Sequence, residues 1–272
     1  MPGQDAEPGR DVEPGRAAGL GSEAVPGSDV GLVRDLDLDA LLAEAGAAPL
    51  TDAQSAQFAA YLQLLLRWNA RTNLTAIRDP QQIRRRHFLE CILAARALPP
   101  EVRTLLDFGS GAGFPGVPIA ICRPEIAVTL TESQHKKAAF LREVARSLPL
   151  PVAVHGGRAE ELAAKVDCVA LRAVDRMDEA VAAATRLVAA GGWLAVLTTE
   201  DQVEAVRAAA AQGAELRGRE VAARQADATD EPQQAGMDKS IYEIHWAADL
   251  PLLCGTRERL LLGQLVFAQY SL

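Results

Sequence analysis

From residue 102 onward, short apolar runs alternate with amphipathic stretches, and this alternation limits the possible folds more than any other feature. The runs Thr104–Phe108, Ile126–Thr131, Val152–His155, Cys168–Leu171 and Trp193–Leu197 have the length of buried strands. Helix-like stretches such as Gln134–Leu148 and Arg176–Ala190 lie between them. Strands alternating with helices predict a mostly parallel sheet covered on both faces. Two later runs, Ile241–Trp246 and Arg259–Phe267, have no helix between them and predict an antiparallel pair at the sheet edge. The expected class is therefore α/β and Rossmann-like, with seven strands and an antiparallel C-terminal edge.

The first of these strands leads into Asp107-Phe108-Gly109-Ser110-Gly111-Ala112-Gly113, and a helix can start near Pro115. Glycines at 109, 111 and 113 let the backbone turn tightly and approach a ligand closely. Turns of this kind serve both dinucleotides and S-adenosylmethionine, so spacing has to discriminate. A dinucleotide site wants GxGxxG, whereas this chain has GxGxG with Asp107 two residues before the first glycine. That favours the methyl donor, whose ammonium an acid can hold. Glu132, at the end of the next strand, is placed where a carboxylate accepts ribose hydroxyls. Arg158-Ala159-Glu160 follows the third strand and would flank an adenine.

Ahead of the sheet, residues 36–100 read as helices. Leu36, Leu38, Leu41 and Leu42 support a short one stopped by Gly46. Thr51-Asp52-Ala53-Gln54 reads as a capping box, followed by Phe58, Tyr61, Leu62, Leu65 and Trp68 on one face. Asp79-Pro80 opens a third helix whose inner face is Ile83, His87, Cys91, Ile92 and Ala95, and Pro99-Pro100 ends it. Three regions result: a disordered acidic tail over 1–35, the helical region 36–100, and a donor-binding domain over 101–272. In the tail, Asp-Ala-Glu-Pro-Gly-Arg is nearly repeated as Asp-Val-Glu-Pro-Gly-Arg, a composition that supports no core.

Charge has to be located before it is used. The net charge is −8, but residues 1–39 hold nine acids and three bases, a net of −6, which leaves −2 for the rest. The body can therefore present a basic face, and Arg67, Arg71, Arg78, Arg84, Arg85 and Arg86 are its densest cluster, suited to phosphate contacts. Aromatics make up only 4% of the chain, which argues against an aromatic single-strand channel. Cys91, Cys122, Cys168 and Cys254 form no CxxC pair, so neither a zinc site nor a disulfide framework is expected. No secretory signal and no stretch of about 18 apolar residues is present. The expectation is a cytoplasmic monomer with no membrane and no metal.

An ordered series of short motifs also resembles the bacterial 16S rRNA guanine-N7 methyltransferases of the RsmG (glucose-inhibited division B) type. It runs from Arg67-Trp68-Asn69 through Asn73-Leu74-Thr75, Arg78-Asp79-Pro80 and Arg86-His87. Asp107–Pro118, Arg123-Pro124-Glu125, Lys136-Lys137, Phe140-Leu141, Arg158-Ala159-Glu160 and Leu171-Arg172-Ala173 continue it, so that roughly residues 50–200 are covered. The resemblance implies a class I methyltransferase with a donor site of Gly109, Phe114, Ala159, Glu160 and Arg172. Asp107, Gly111 and Glu132 join it on the physical argument above. It also implies that Asn73, His87 and Arg172 matter for activity, that the cofactor is S-adenosyl-L-methionine, and that the partner is 16S rRNA in the small ribosomal subunit or its precursor. Two positions depart from the family pattern. Glu90 stands where Asp is usual, and Thr198 stands where the fifth strand usually carries Lys.

Guanine N7 carries a lone pair and no proton, so the implied reaction needs alignment and no general base. Positive charge passes to the guanine ring, so a cation at N7 would be unhelpful, and Arg172 is assigned to the donor or an RNA phosphate. Asn73 is either a turn residue or a contact to the guanine edge. His87 is either a core histidine or a functional one. Trp68 reads as core. Three rival readings remain open at this point: a class I methyltransferase acting on another substrate, a non-catalytic RNA-binding relative that lost the fifth-strand lysine, and, weakened by the glycine spacing, a nicotinamide dehydrogenase.

Overall fold

The computed structural model describes residues 36–213, 244–246 and 264–269 of the chain. Its helical start comprises α1 (Leu36–Glu44), α2 (Asp52–Asn69), α3 (Pro80–Ile83) and α4 (Leu89–Ala97). The expected caps form: Thr51 Oγ1 accepts from Gln54 N at 3.2 Å while Gln54 Oε1 accepts from Thr51 N at 3.0 Å. Asp79 caps α3 with Pro80 in its first turn. Between α3 and α4 runs a π-helical segment, Arg84–Phe88, which the 3.6-residue reading of this helix does not contain. The tail expected over 1–35 lies outside the described residues.

Five parallel strands follow in the spatial order β3-β2-β1-β4-β5: β1 (Thr104–Phe108), β2 (Ala127–Thr131), β3 (Val152–His155), β4 (Val166–Arg172) and β5 (Val188–Thr198). Helices α5 (Gly116–Cys122), α6 (His135–Ser147) and α7 (Met177–Thr185) connect or flank them, and residues 203–213 are helical. Beyond β5, the backbone of β7 (Gln264–Gln269) pairs antiparallel with β5 and with β6 (Ile244–Trp246).

Alternation along the strands places two cores on opposite faces of the sheet. Leu105, Cys168, Ala170, Trp193 and Ala195 face one core, built with the N-terminal helices, α5 and α6. Leu106, Val169, Leu171, Leu194 and Val196 face the other, built with α7 and residues 203–210. Phe58, Tyr61, Leu65 and Phe88 are fully buried in the first core. Each contributes about 1.5–3 kcal/mol by leaving water, and together they clamp the helical region onto the sheet. Trp68 packs at the edge of the same core, its ring 5.7 Å from Phe140 and its Nε1 donating to Glu143 at 3.0 Å.

One expected element is shorter than its sequence suggests. The helix expected over Arg176–Ala190 ends at Thr185, because Arg186 N and Leu187 N bond three residues back, to Ala183 and Ala184. Leu187 O then accepts from Val166 N at 3.0 Å, which starts β5 at Val188. Strand pairing overrides an alanine-rich helical propensity here.

The sheet reverses its winding between β1 and β4. In an open α/β sheet, the crevice at the carboxyl ends of two such strands is where ligands gather.

Candidate active site

At the end of β1 the chain adopts φ of 71° at Gly109, 57° at Gly111 and 95° at Gly113, a region side chains disfavour. The turn is laced to the end of β2. Gly109 N donates to Thr131 Oγ1 at 3.2 Å, Ser110 N to Thr131 O at 2.8 Å, and Gly111 N to Glu132 Oε2 at 3.0 Å. The other carboxylate oxygen, Glu132 Oε1, accepts from Gln134 N at 2.7 Å. Two backbone amides thus hold Glu132 at the cavity, and each oxygen keeps a further lone pair for a ligand hydroxyl. From the helical side, Tyr61 Oη donates to Ala112 O at 2.5 Å and steadies the far end of the turn.

Around this turn opens a cavity of about 640 Å³. Phe108–Gly111 form its floor, Thr131–Gln134 and Lys137 one side, and Gly157–Glu160 the adjoining side. Residues 172–176 and part of α7 close it opposite, and Leu74, Thr75, His87 and Phe114 form the wall from the helical region. Ala159 is buried and Glu160 exposed, so this short 3-10 turn presents its backbone and Ala159 methyl inward. Donor-side and helical-side residues therefore share one space.

On the helical wall, His87 faces the Phe114 ring at a centroid distance of 4.7 Å. Its Nε2 lies 3.0 Å from Thr75 Oγ1, and its Nδ1 lies 3.0 Å from Arg172 Nη2 and 3.2 Å from Arg86 O. Burial, and then the neighbouring Arg172 guanidinium, lower its pKa to about 4, so the ring is neutral at physiological pH. Arg172 enters from the end of β4. It donates through Nη2 to Glu90 Oε2 at 2.7 Å and to Arg86 O at 2.6 Å, with Cζ 5.8 Å from the Phe114 centroid. Burial raises the Glu90 carboxyl above its ordinary value, against the pull of Arg172 and Arg86.

Thr75 and Leu74 reach the cavity because a buried amide organises their loop. Asn69 Oδ1 accepts from Leu74 N at 2.9 Å and Thr75 N at 3.1 Å, while its Nδ2 donates to Thr75 O at 3.0 Å and Ile77 O at 3.3 Å. All four bonding positions of the amide are used.

Of the residues selected from sequence, Gly109, Gly111, Phe114, Glu132, Ala159, Glu160, His87 and Arg172 come together on the cavity wall. Two do not. Asn73 is exposed, its Oδ1 accepting from Arg78 Nη2 at 3.1 Å, because the Asn69 bonds turn its successors inward instead. Asp107 lies fully buried behind the turn, where Oδ2 accepts from Gly116 N at 2.9 Å and Oδ1 has no partner. Desolvation raises its pKa to about 7, opposed chiefly by the Gly116 bond. Thr198 is likewise off the wall, buried, with Oγ1 3.0 Å from Gln202 Oε1. Sequence reasoning assigned no role to Glu90 or Thr75. An acid on the apolar stripe three residues after His87 was a usable signal, since a buried carboxylate needs a partner.

A positive-φ glycine turn at the switch point, with an acid at the end of the next strand, defines a Rossmann-like site for an adenosyl ligand, and the GxGxG spacing is that of the methyltransferase class. The family model described as rRNA small subunit methyltransferase G (GidB) matches residues 54–230, and the chain belongs to that family. A protein of the same name from an Anaeromyxobacter species is 42% identical over 150 residues, 53% of this chain and 69% of that one. Another from Xanthomonas campestris pv. campestris is 42% identical over 164 residues, 58% of this chain and 76% of that one. A third, from Streptococcus pneumoniae, is 42% identical over 138 residues, 47% of this chain and 58% of that one.

Proposed function

We propose that this chain transfers a methyl group from S-adenosylmethionine to N7 of a guanine in 16S rRNA of the small ribosomal subunit or its precursor. The observation that carries this reading is the single cavity shared by the glycine turn with Glu132 and by His87, Phe114 and Arg172. A space of about 640 Å³ is ample for a nucleoside-sized donor beside a base. When bound, the donor supplies an activated methyl on a sulfonium sulfur.

The residues present fit that group. Glu132 offers acceptors for ribose hydroxyls, Gly109 and Gly111 allow close approach, and Ala159 and Glu160 flank the adenine end. Asp107 supports the turn from beneath. On the acceptor side, His87 is neutral, which suits a base that gains positive charge as N7 is methylated. Phe114 and His87 offer flat faces against which a base can pack. Arg172, at the end of β4, lines the cavity with donors suited to a carboxylate or phosphate. No side chain has to move a proton, so the chain's task is alignment.

In this reading the helical region 36–100 is the acceptor side and residues 101–272 the donor-binding domain, with β6 and β7 as the antiparallel edge of a seven-stranded class I sheet. The protein acts as a monomer in the cytoplasm. Among the described residues no helix is long and apolar enough to cross a membrane. The test is methyl transfer from labelled donor to small subunits from cells lacking this gene, with mapping of the modified base. Label at N7 of one guanine is expected. Transfer to protein or to another atom would overturn the reading.

A further inference from the structure

The role of Glu90 rests on the reading above and extends it to a residue outside the donor site. This carboxylate sits on the apolar stripe of the helix, its side chain only 12% exposed. A buried acid is costly unless paired, and its Oε2 is paired with Nη2 of Arg172 at 2.7 Å. The same Nη2 also donates to Arg86 O and approaches His87 Nδ1. Nε and Nη1 of Arg172 make no hydrogen bond among the described residues, and the side chain lies on the cavity wall. The guanidinium is thus gripped at one corner. Because the group is a rigid plane, fixing one nitrogen beside the Phe114 ring fixes the direction of the remaining N–H bonds.

We infer that Glu90 is a positioning residue for methyl transfer: it clamps Nη2 of Arg172 so that the remaining N–H donors, on Nη1 and Nε, are held in one orientation at the cavity wall, where they can meet an oxyanion of the ligands. That oxyanion is either the carboxylate of the donor or a phosphate of the RNA. The π-helical turn just before Glu90 belongs to the same device. It places the Arg86 carbonyl beside the Glu90 carboxylate, so that two acceptors from one helix face meet a single nitrogen. An arginine released from this clamp would keep its charge and lose its aim.

The experiment compares wild type, Glu90→Gln, Glu90→Asp, Arg172→Met and the Glu90→Gln/Arg172→Met pair. Turnover is measured on small subunits and normalised to the donor-binding stoichiometry from calorimetry. Glu90→Gln should lose ~100-fold in kcat/KM, the order expected when an aligning group shifts by about 1 Å. The loss appears in donor Kd if the oxyanion is the donor carboxylate, and in the KM for subunits if it is an RNA phosphate. Glu90→Asp, which keeps the charge the family usually has here, should recover to within ~10-fold. Adding Glu90→Gln to Arg172→Met should cost less than ~3-fold further, because a residue acting through Arg172 has nothing left to position. If Glu90→Gln alone does not fold, this last comparison decides the matter: the double variant leaves no unpaired buried charge, and Glu90 in Arg172→Met becomes neutral by taking up a proton. Wild-type turnover in Glu90→Gln, or a full additional loss in the Arg172→Met background, overturns the inference alone. An inert wild type overturns the reading on which it rests.

Discussion

The glycine turn separates two kinds of constraint that look alike in sequence. At Gly109 an added Cβ would touch Val174 at 3.6 Å, an ordinary contact, so only φ resists a side chain there. At Gly113 it would lie 2.7 Å from Tyr61 Oη and 2.8 Å from Val117 Cγ2, with φ at 95°. Gly113→Ala should therefore destabilise by about 2–4 kcal/mol, combining left-handed strain with overpacking. Denaturant melts check this, and a midpoint within error of wild type would contradict it. Two buried titrating groups give opposite pH signatures. His87 protonates near pH 6.5 in an unfolded chain and near 4 in the fold, so the unfolded state holds more protons between those values. The stability of the neutral ring is full above about pH 6.5 and is lost, by about 3 kcal/mol, as pH falls toward 4. Asp107 is raised from 3.8 to about 7, so here the folded state holds more protons, and stability falls as pH rises across that window by about 4 kcal/mol. Asp107→Asn should gain in Tm relative to wild type between pH 5 and pH 8, and His87→Gln should gain as pH falls from 7 to 4.5. Melting curves that run parallel to wild type at every pH would count against both assignments.

Elements differ in how plainly their sequences announce them. The α2 capping box and the Asp79-Pro80 start are local, involving residues within three positions, and both form as the spacing predicts. Thr51→Ala removes one half of the box and should cost about 1 kcal/mol. For a chain of this size that is a Tm drop of roughly 2–4 °C, readable by circular dichroism, and no change would mean the helix is fixed by packing alone. The π-helical segment Arg84–Phe88 was not legible, because one widened turn shifts the apolar stripe by a single residue. Its Arg86 carbonyl accepts from Arg172, from a strand more than 80 positions later, which also pairs with Glu90. The early end of α7 has a similar cause, the pairing of Val166 with Val188.

Across the whole molecule, the arginine cluster that reads as one patch in sequence divides by what each side chain meets. Arg78 bonds Asn69 O and Asn73 Oδ1, and Arg85 lies 3.7 Å from Glu44. Arg67, Arg71 and Arg86 are exposed, on the helical side that also walls the cavity. If RNA lies across that side, changing these three to Ala should reduce the salt dependence of binding to small-subunit RNA by roughly 0.7–0.9 slope units per lost contact. Donor affinity by calorimetry should stay constant. An unchanged slope would make them solvated charges with no RNA contact.

The sequence by itself determined the α/β class, the helix caps, the glycine turn and the acid Glu132, because each depends on periodicity or on residues a few positions apart. It also singled out His87 and Arg172, through an ordered series of motifs. Only the tertiary structure decided that His87 is neutral, that Arg172 is clamped by Glu90, that Thr75 reaches the wall while Asn73 turns to solvent, and that Asp107 lies beneath the turn. These outcomes depend on burial and on which distant groups meet, such as Arg172 with Glu90 at 2.7 Å, and no local pattern encodes a desolvation cost or a partner 82 residues away.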